Sequence, residues 1–215
     1  IRVRARPLRA KPFAVPPDWS AASFWFQVAA LSGSARIFLP GLHRDRWQGD
    51  EAACQLWKPW VRTEGTEQGT LLLSERSPGF GDGRQELTFN LRKHPDLFQP
   101  LALTCAGLGQ AARFSGLENL HLKETDRIAA VIDTLGHLGI RPSLPENGFA
   151  LPFTEHPLRS ASDRAFSSFG DHRMAMSLAP LALRTGSITV QDPGVVAKSY
   201  PGFWEHLRTA GFGVA

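Results

Sequence analysis

Lys123-Glu124-Thr125-Asp126-Arg127 sets two cations and two carboxylates side by side, where an apolar helical run begins. The unpaired N–H groups and dipole of a helix start already favour anions, and an added Lys and Arg make a site for phosphate or carboxylate. Taken alone, the segment reads equally as a solvated helix start whose cations are balanced by capping carboxylates. Two further segments repeat the pattern: Gly170-Asp171-His172-Arg173 and Lys198-Ser199-Tyr200-Pro201 each place a cation at an expected helix start. If Arg127, Arg173 and Lys198 converge, they form a pocket for an anionic substrate. A carboxylate among such cations is open to pKa shifts and suits proton transfer.

The elements that must position these residues recur along the chain. Asp18, Asp96 and Asp171 each stand before an apolar helical run, over 20–31, 97–108 and 174–183, at intervals of 78 and 75 residues. Judged singly, each aspartate is an N-cap. A glycine-bearing turn and a short strand follow each run, over 35–39, 111–114 and 187–190, and second helices begin near Gly49, Thr125 and Tyr200. The clearest second helix covers 125–138, with Ile128, Ile132, Leu135 and Leu138 on one face, Thr125 or Asp126 as its cap and Gly139 to stop it. Hairpin-like stretches at 70–73 and 87–91, with a turn at 79–83, lie between repeats. A threefold α/β repeat follows. The alternation of Arg2, Arg4 and Arg6 with Ile1, Val3 and Ala5 predicts a strand over the first residues, and Pro16-Pro17 a hinge after it.

Composition excludes several classes. The 215 residues carry 24 Lys+Arg against 20 Asp+Glu, a formal charge of +4, with the one basic cluster (Arg2 to Lys11) read as a solvated strand face rather than a nucleic-acid arm. No apolar run approaches the roughly 20 residues of a membrane span, and the first thirty residues are too rich in Arg and Pro for a secretory signal. Two cysteines, Cys54 and Cys105, cannot make a disulfide framework or a four-cysteine zinc site, and both are expected as buried thiols. The only methionines are Met174 and Met176, so a segment upstream of Ile1 is expected. Gly107-Leu108-Gly109-Gln110-Ala111-Ala112 matches a dinucleotide fingerprint, but with a helix before and a strand after it the order is reversed, and it is read as a helix C-terminus.

The stretch Gly116-Leu117-Glu118-Asn119-Leu120-His121-Leu122-Lys123-Glu124-Thr125-Asp126-Arg127-Ile128, then Gly170-Asp171-His172-Arg173-Met174-Ala175-Met176, then Ala197-Lys198-Ser199-Tyr200-Pro201 resemble the EPSP synthase family, the 3-phosphoshikimate 1-carboxyvinyltransferases of the shikimate pathway. Asp18 to Ser23 and Gln48-Gly49-Asp50 fit the same family, the latter read as structural. His121, where the family often has Arg, and Trp47, where a smaller residue is usual, depart from it. The resemblance covers nearly the whole chain and the C-terminal half of the family's length. It implies an inside-out α/β barrel of three βαβαββ-type repeats, with residues 1–16 finishing an N-terminal lobe and 17–215 forming the C-terminal lobe.

The resemblance also implies a reaction: transfer of the enolpyruvyl group of phosphoenolpyruvate to the 5-hydroxyl of shikimate 3-phosphate, with loss of phosphate. No metal or organic cofactor is implied, the partners being the two substrates and a missing N-terminal lobe, with neither nucleic acid nor membrane, in the cytoplasm. Asp96 is expected as the base toward the hydroxyl and Glu124 as the group exchanging a proton with the methylene carbon. Asn119 and Lys123 are expected on the shikimate phosphate, and Arg127, Arg173 and Lys198 as the clamp on phosphoenolpyruvate. A sister activity on a UDP-sugar shares the fold, but the Lys123 to Arg127 and Asp171 to Arg173 patterns favour shikimate 3-phosphate. The reading from another class is a non-catalytic anion-binding or interaction domain of the same fold.

Overall fold

The computed structural model describes residues 2, 4–7, 9–10, 12–44, 47–75, 83–146, 148–155, 158 and 161–215, with 162 and 163 by backbone alone. Its centre is helical. α1 (Trp19–Ser32) is apolar nearly all round and is buried along most of its length, as such a composition requires. It is followed by β1 (Arg36–Pro40), a 3-10 turn over Gly49–Ala52 continuing into α2 (Ala53–Leu56), and the antiparallel pair β2 (Val61–Thr66) and β3 (Gly69–Ser74). β4 (Leu87–Asn90) leads through a 3-10 turn at Pro95–Leu97 into α3 (Phe98–Gly107), whose residues from Phe98 to Ala106 are all buried.

β5 (Ala112–Ser115), α4 (Arg127–His137), β6 (Phe149–Leu151), β7 (Ala161–Phe166), α5 (His172–Leu178), α6 (Ala182–Thr185), β8 (Ile188–Val190) and α7 (Phe203–Thr209) complete the chain. α1, α3 and α5 pack on one another. Around them stand three small open sheets, ordered β1-β3-β2, β4-β5-β6 and β7-β8. Phe98 of α3 meets Phe114 of β5 and Phe149 of β6 edge-on, with centroids 5.7 and 5.3 Å away, the geometry aromatic quadrupoles favour. Cys54 and Cys105 are free and buried, and burial pushes both thiols up.

Several expectations change. Residues 2, 4–7 and 9–10 lie in no strand and are exposed, whereas Ile1, Val3 and Lys11 lie outside the described residues. Alternation becomes a strand only where a neighbour supplies the ladder, and among the described strands none pairs with this segment. The stretches around β3 and β4 are not a hairpin: β3 runs between β1 and β2, while β4 pairs in parallel with β5. The turn between them lies outside the described residues except for Gly83. In α4 the buried face carries Arg127, Ala130, Val131, Thr134 and Leu135, and Ile128 and Ile132 are only half-buried. The helix is therefore rotated so that its first cation points inward.

The reversed dinucleotide match is indeed a helix end. α3 stops at Gly107, and Gly109 has φ +68°, where a Cβ would lie 2.2 Å from the Thr154 carbonyl oxygen. Only glycine tolerates both the left-handed backbone and that approach.

Candidate active site

Four loops deliver charged side chains to one place, each at the end of an element. Asp96 sits in the 3-10 turn that opens α3. Lys123 and Glu124 lie in the loop before α4, and Arg127 is the first residue of α4, with Asp126 capping it by accepting from the N–H groups of Ile128 and Ala129. Asp171 caps α5 and Arg173 is its second residue. Lys198 closes a 3-10 turn over Pro193–Lys198. That corrects one expectation: Lys198 stands at the end of a turn and α7 starts only at Phe203, after a further turn in which Phe203 N–H donates to the Tyr200 carbonyl at 3.0 Å.

The guanidinium of Arg127 is the hub. Its side chain is 1% exposed, and it donates to Asp171 Oδ2 from Nε at 2.8 Å, to Asp96 Oδ1 from Nη1 at 2.7 Å and to Glu124 Oε2 from Nη2 at 2.9 Å. Arg173 Nη2 reaches Asp96 Oδ2 at 3.0 Å, Lys123 Nζ lies 3.3 Å from Asp96 Oδ1, and Lys198 Nζ donates to Glu124 Oε1 at 3.2 Å. Asp96, Lys123, Glu124, Arg127, Arg173 and Lys198 thus meet as expected, joined by Asp171. Asn119 does not join these ion pairs. It is exposed at the start of the Leu120–Leu122 turn.

The cations set the protonation states. Burial alone would raise the Glu124 carboxyl, but backbone hydrogen bonding with Lys198 and Arg127 outweighs it and holds the group at about 2. At Asp96 burial is likewise the largest effect, and Arg173, Arg127 and Lys123 together overturn it and lower the pKa. Burial, followed by the charge of Arg173, lowers the pKa of His172. Beside the cluster, Asp50 accepts from the Ser20 hydroxyl and is raised by burial.

The reading of Gln48 as structural fits its contacts, since it accepts from Trp19 N–H at 2.9 Å and donates to the Pro17 carbonyl at 2.7 Å. The cluster is an open face. A cavity of about 560 Å³ lies elsewhere, lined by Trp25, Phe38, Leu39, Leu42 and Tyr200 among others, and shares no lining residue with the charged group.

Two further residues support the cluster from beneath. Asp171 was expected only as a cap, yet its second oxygen anchors Arg127. Gln99, a buried amide in an otherwise apolar helix, donates to that same oxygen. An amide amid Phe98, Pro100 and Leu101 was the one signal that could have marked it.

The α/β fold with its buried helical trio is one the chain shares with solved EPSP synthases and another enolpyruvyl transferase. EPSP synthase from Acinetobacter baumannii superposes with a TM-score of 0.73 at 24% identity, over 92% of this chain and 46% of that one. The enolpyruvyl transferase NikO from Streptomyces tendae gives 0.56 at 17% identity, over 91% and 43%. In sequence, a model of EPSP synthase (3-phosphoshikimate 1-carboxyvinyltransferase) matches residues 2–207, and the chain belongs to that family. A 3-phosphoshikimate 1-carboxyvinyltransferase of Bacteroides fragilis is 40% identical over all 215 residues, which are 51% of that relative. One of Methanoculleus marisnigri is 33% identical over 96% of this chain and 46% of its own. The chain spans about half the length of the curated relatives it matches.

Proposed function

We propose that this chain supplies one wall of a 3-phosphoshikimate 1-carboxyvinyltransferase active site, and that the other wall belongs to a complementary lobe. The observation that carries this is the convergence of Asp96, Lys123, Glu124, Arg127, Arg173 and Lys198 from four separate segments onto one open face. Residues 17–215 form the lobe, and the finer architecture is an inside-out barrel of three repeats. The packed trio α1, α3 and α5 and the three outer sheets support that architecture. The tie from Gln48 to Pro17 supports a boundary just before it. The setting is the cytoplasm, in keeping with described helices of which none is long and apolar enough to cross a membrane.

The chemistry follows from the charges. The 5-hydroxyl oxygen of shikimate 3-phosphate adds to the enol carbon of phosphoenolpyruvate while the methylene carbon gains a proton. Phosphate then leaves as a methyl proton is lost. Arg173 and Lys198 meet the anionic groups of phosphoenolpyruvate with Arg127 behind them, and Asn119 and Lys123 face the shikimate phosphate. In the free chain those cations hold the Asp96 and Glu124 carboxyls down. An incoming anion competes for the same cations, weakening that hold and moving both carboxyls up toward the range where they transfer protons. Asp96 then takes the hydroxyl proton and Glu124 serves the methylene carbon. The clamp also stabilises the charge that develops on phosphate.

The test is complementation. The chain is mixed with a separately produced complementary half, shikimate 3-phosphate and phosphoenolpyruvate, and phosphate release is followed. Little turnover is expected from the chain alone and clear turnover from the pair. No release, with both pieces folded and associated, refutes the proposal and leaves a non-catalytic anion-binding domain.

A further inference from the structure

The Arg127 side chain is only 1% exposed, so its orientation depends on what accepts its hydrogens. Asp96 and Glu124 are 28% and 27% exposed and can move with whatever binds on the open face, whereas Asp171 is fully buried. Asp171 is therefore the fixed point. Its Oδ1 accepts from the Arg173 backbone N–H at 2.8 Å, and its Oδ2 accepts from Arg127 Nε at 2.8 Å. A second donor reaches Oδ2 from the far side: Gln99 Nε2, at 3.3 Å.

Gln99 is fully buried on the first turn of α3, where its amide also lies 3.7 Å from Met174 Sδ and its Oε1 has no hydrogen-bond partner among the described residues. The facing carboxylate decides which end of the amide points toward it, since the reverse would oppose two oxygens. A buried amide with an unpaired carbonyl is costly, and an apolar residue of similar length would avoid that cost.

We propose that Gln99 is a positioning residue for the anion-binding face: it holds the Asp171 carboxylate from the core side, and Asp171 in turn fixes the plane of Arg127 and so the seats of Asp96 and Glu124. The consequence for substrate rests on the function proposed above, but the geometry does not.

The test reads the Nε–H group of Arg127 by nitrogen-15 NMR in the chain without substrate. In Gln99→Met, which keeps the length and removes the donor, that N–H is expected to shift and to exchange with solvent roughly tenfold faster than in the wild type at the same pH. Gln99→Glu adds a rescue. At about pH 5 its carboxyl, raised by burial beside Asp171, still carries a proton and donates like the amide, giving a wild-type signal; at about pH 8 the signal departs. A merely space-filling side chain predicts no such pH dependence. An Arg127 signal unchanged in Gln99→Met overturns the proposal. So does a Gln99→Glu signal that tracks the wild type at both pH values, which also decides the matter if Gln99→Met does not fold. Failure of complementation, with the Arg127 signal responding as expected, removes the enzymatic reading and leaves the positioning role standing.

Discussion

Replacing Arg127 with methionine tests whether the cluster is held together from beneath. The side chain is 1% exposed and spans Asp171, Asp96 and Glu124. Two of these carboxylates keep other partners after the change, Asp96 with Arg173 and Lys123, and Glu124 with Lys198. Among the described residues Asp171 keeps only the Arg173 backbone N–H and the Gln99 amide, and it is fully buried. Stranding one member of a buried ion pair costs about 3–5 kcal/mol. For a chain of this length that lowers the melting temperature on the order of 10 °C. The assay is urea and thermal unfolding at neutral pH, repeated at lower pH. The penalty should shrink on acidification, because protonating the stranded carboxylate removes its charge. Lys198→Met is the control, since its side chain is 58% exposed and pairs with Glu124, and should cost less than about 1 kcal/mol. An Arg127→Met chain with the wild-type midpoint, or a penalty indifferent to pH, would refute the reasoning.

Acid should weaken the fold in a defined window. The Glu124 carboxyl sits at about 2 and that of Asp96 is also lowered, so the stability they contribute is complete above the ordinary carboxylate range and is lost as pH falls toward 2; Glu124→Gln should flatten that part of the urea-midpoint profile. Arg173→Ala should weaken phosphoenolpyruvate binding to the reconstituted pair by about 2 kcal/mol, read by calorimetry, and an unchanged affinity removes Arg173 from the clamp. Asp96→Asn should depress turnover of that pair with little change in substrate affinity, and undiminished turnover contradicts its role as base. Gly116→Ala should destabilise the chain by more than about 1 kcal/mol in urea unfolding, since φ is +72° and the new Cβ would lie 2.4 Å from Arg92 N.

The central helices were legible because their signal is local: an aspartate followed by a largely apolar run marks α1, α3 and the stretch from α5 through α6 without reference to anything distant, although only Asp18 and Asp171 cap their helices and Asp96 lies inside the 3-10 turn before α3. The motif around Lys123 to Arg127 likewise announced charge at a helix start. What could not be read locally was decided by partners far along the chain. The first residues alternate like a strand, but those described pair with no described strand, β3 and β4 read like a hairpin yet join different sheets, and α4 turns its Arg127 inward at the expense of Ile128 and Ile132. Asp171 shows the limit most clearly. Its capping role follows from its neighbours in sequence, and its anchoring role from an arginine forty-four positions away.

That distance bears on how the molecule folds. Asp96, the Glu124–Arg127 pair, Asp171 and Lys198 are far apart in the chain, so bringing them together pays loop-closure entropy. The packing of the helical trio is what places these charges beside one another. The cluster then acts as an assembly check: a chain whose third helix docks out of register leaves a buried aspartate and a buried arginine each without its partner. Mispacked forms are thereby penalised more heavily than a purely apolar seam would penalise them, and the residues proposed to meet the substrate also help to select the correctly folded chain.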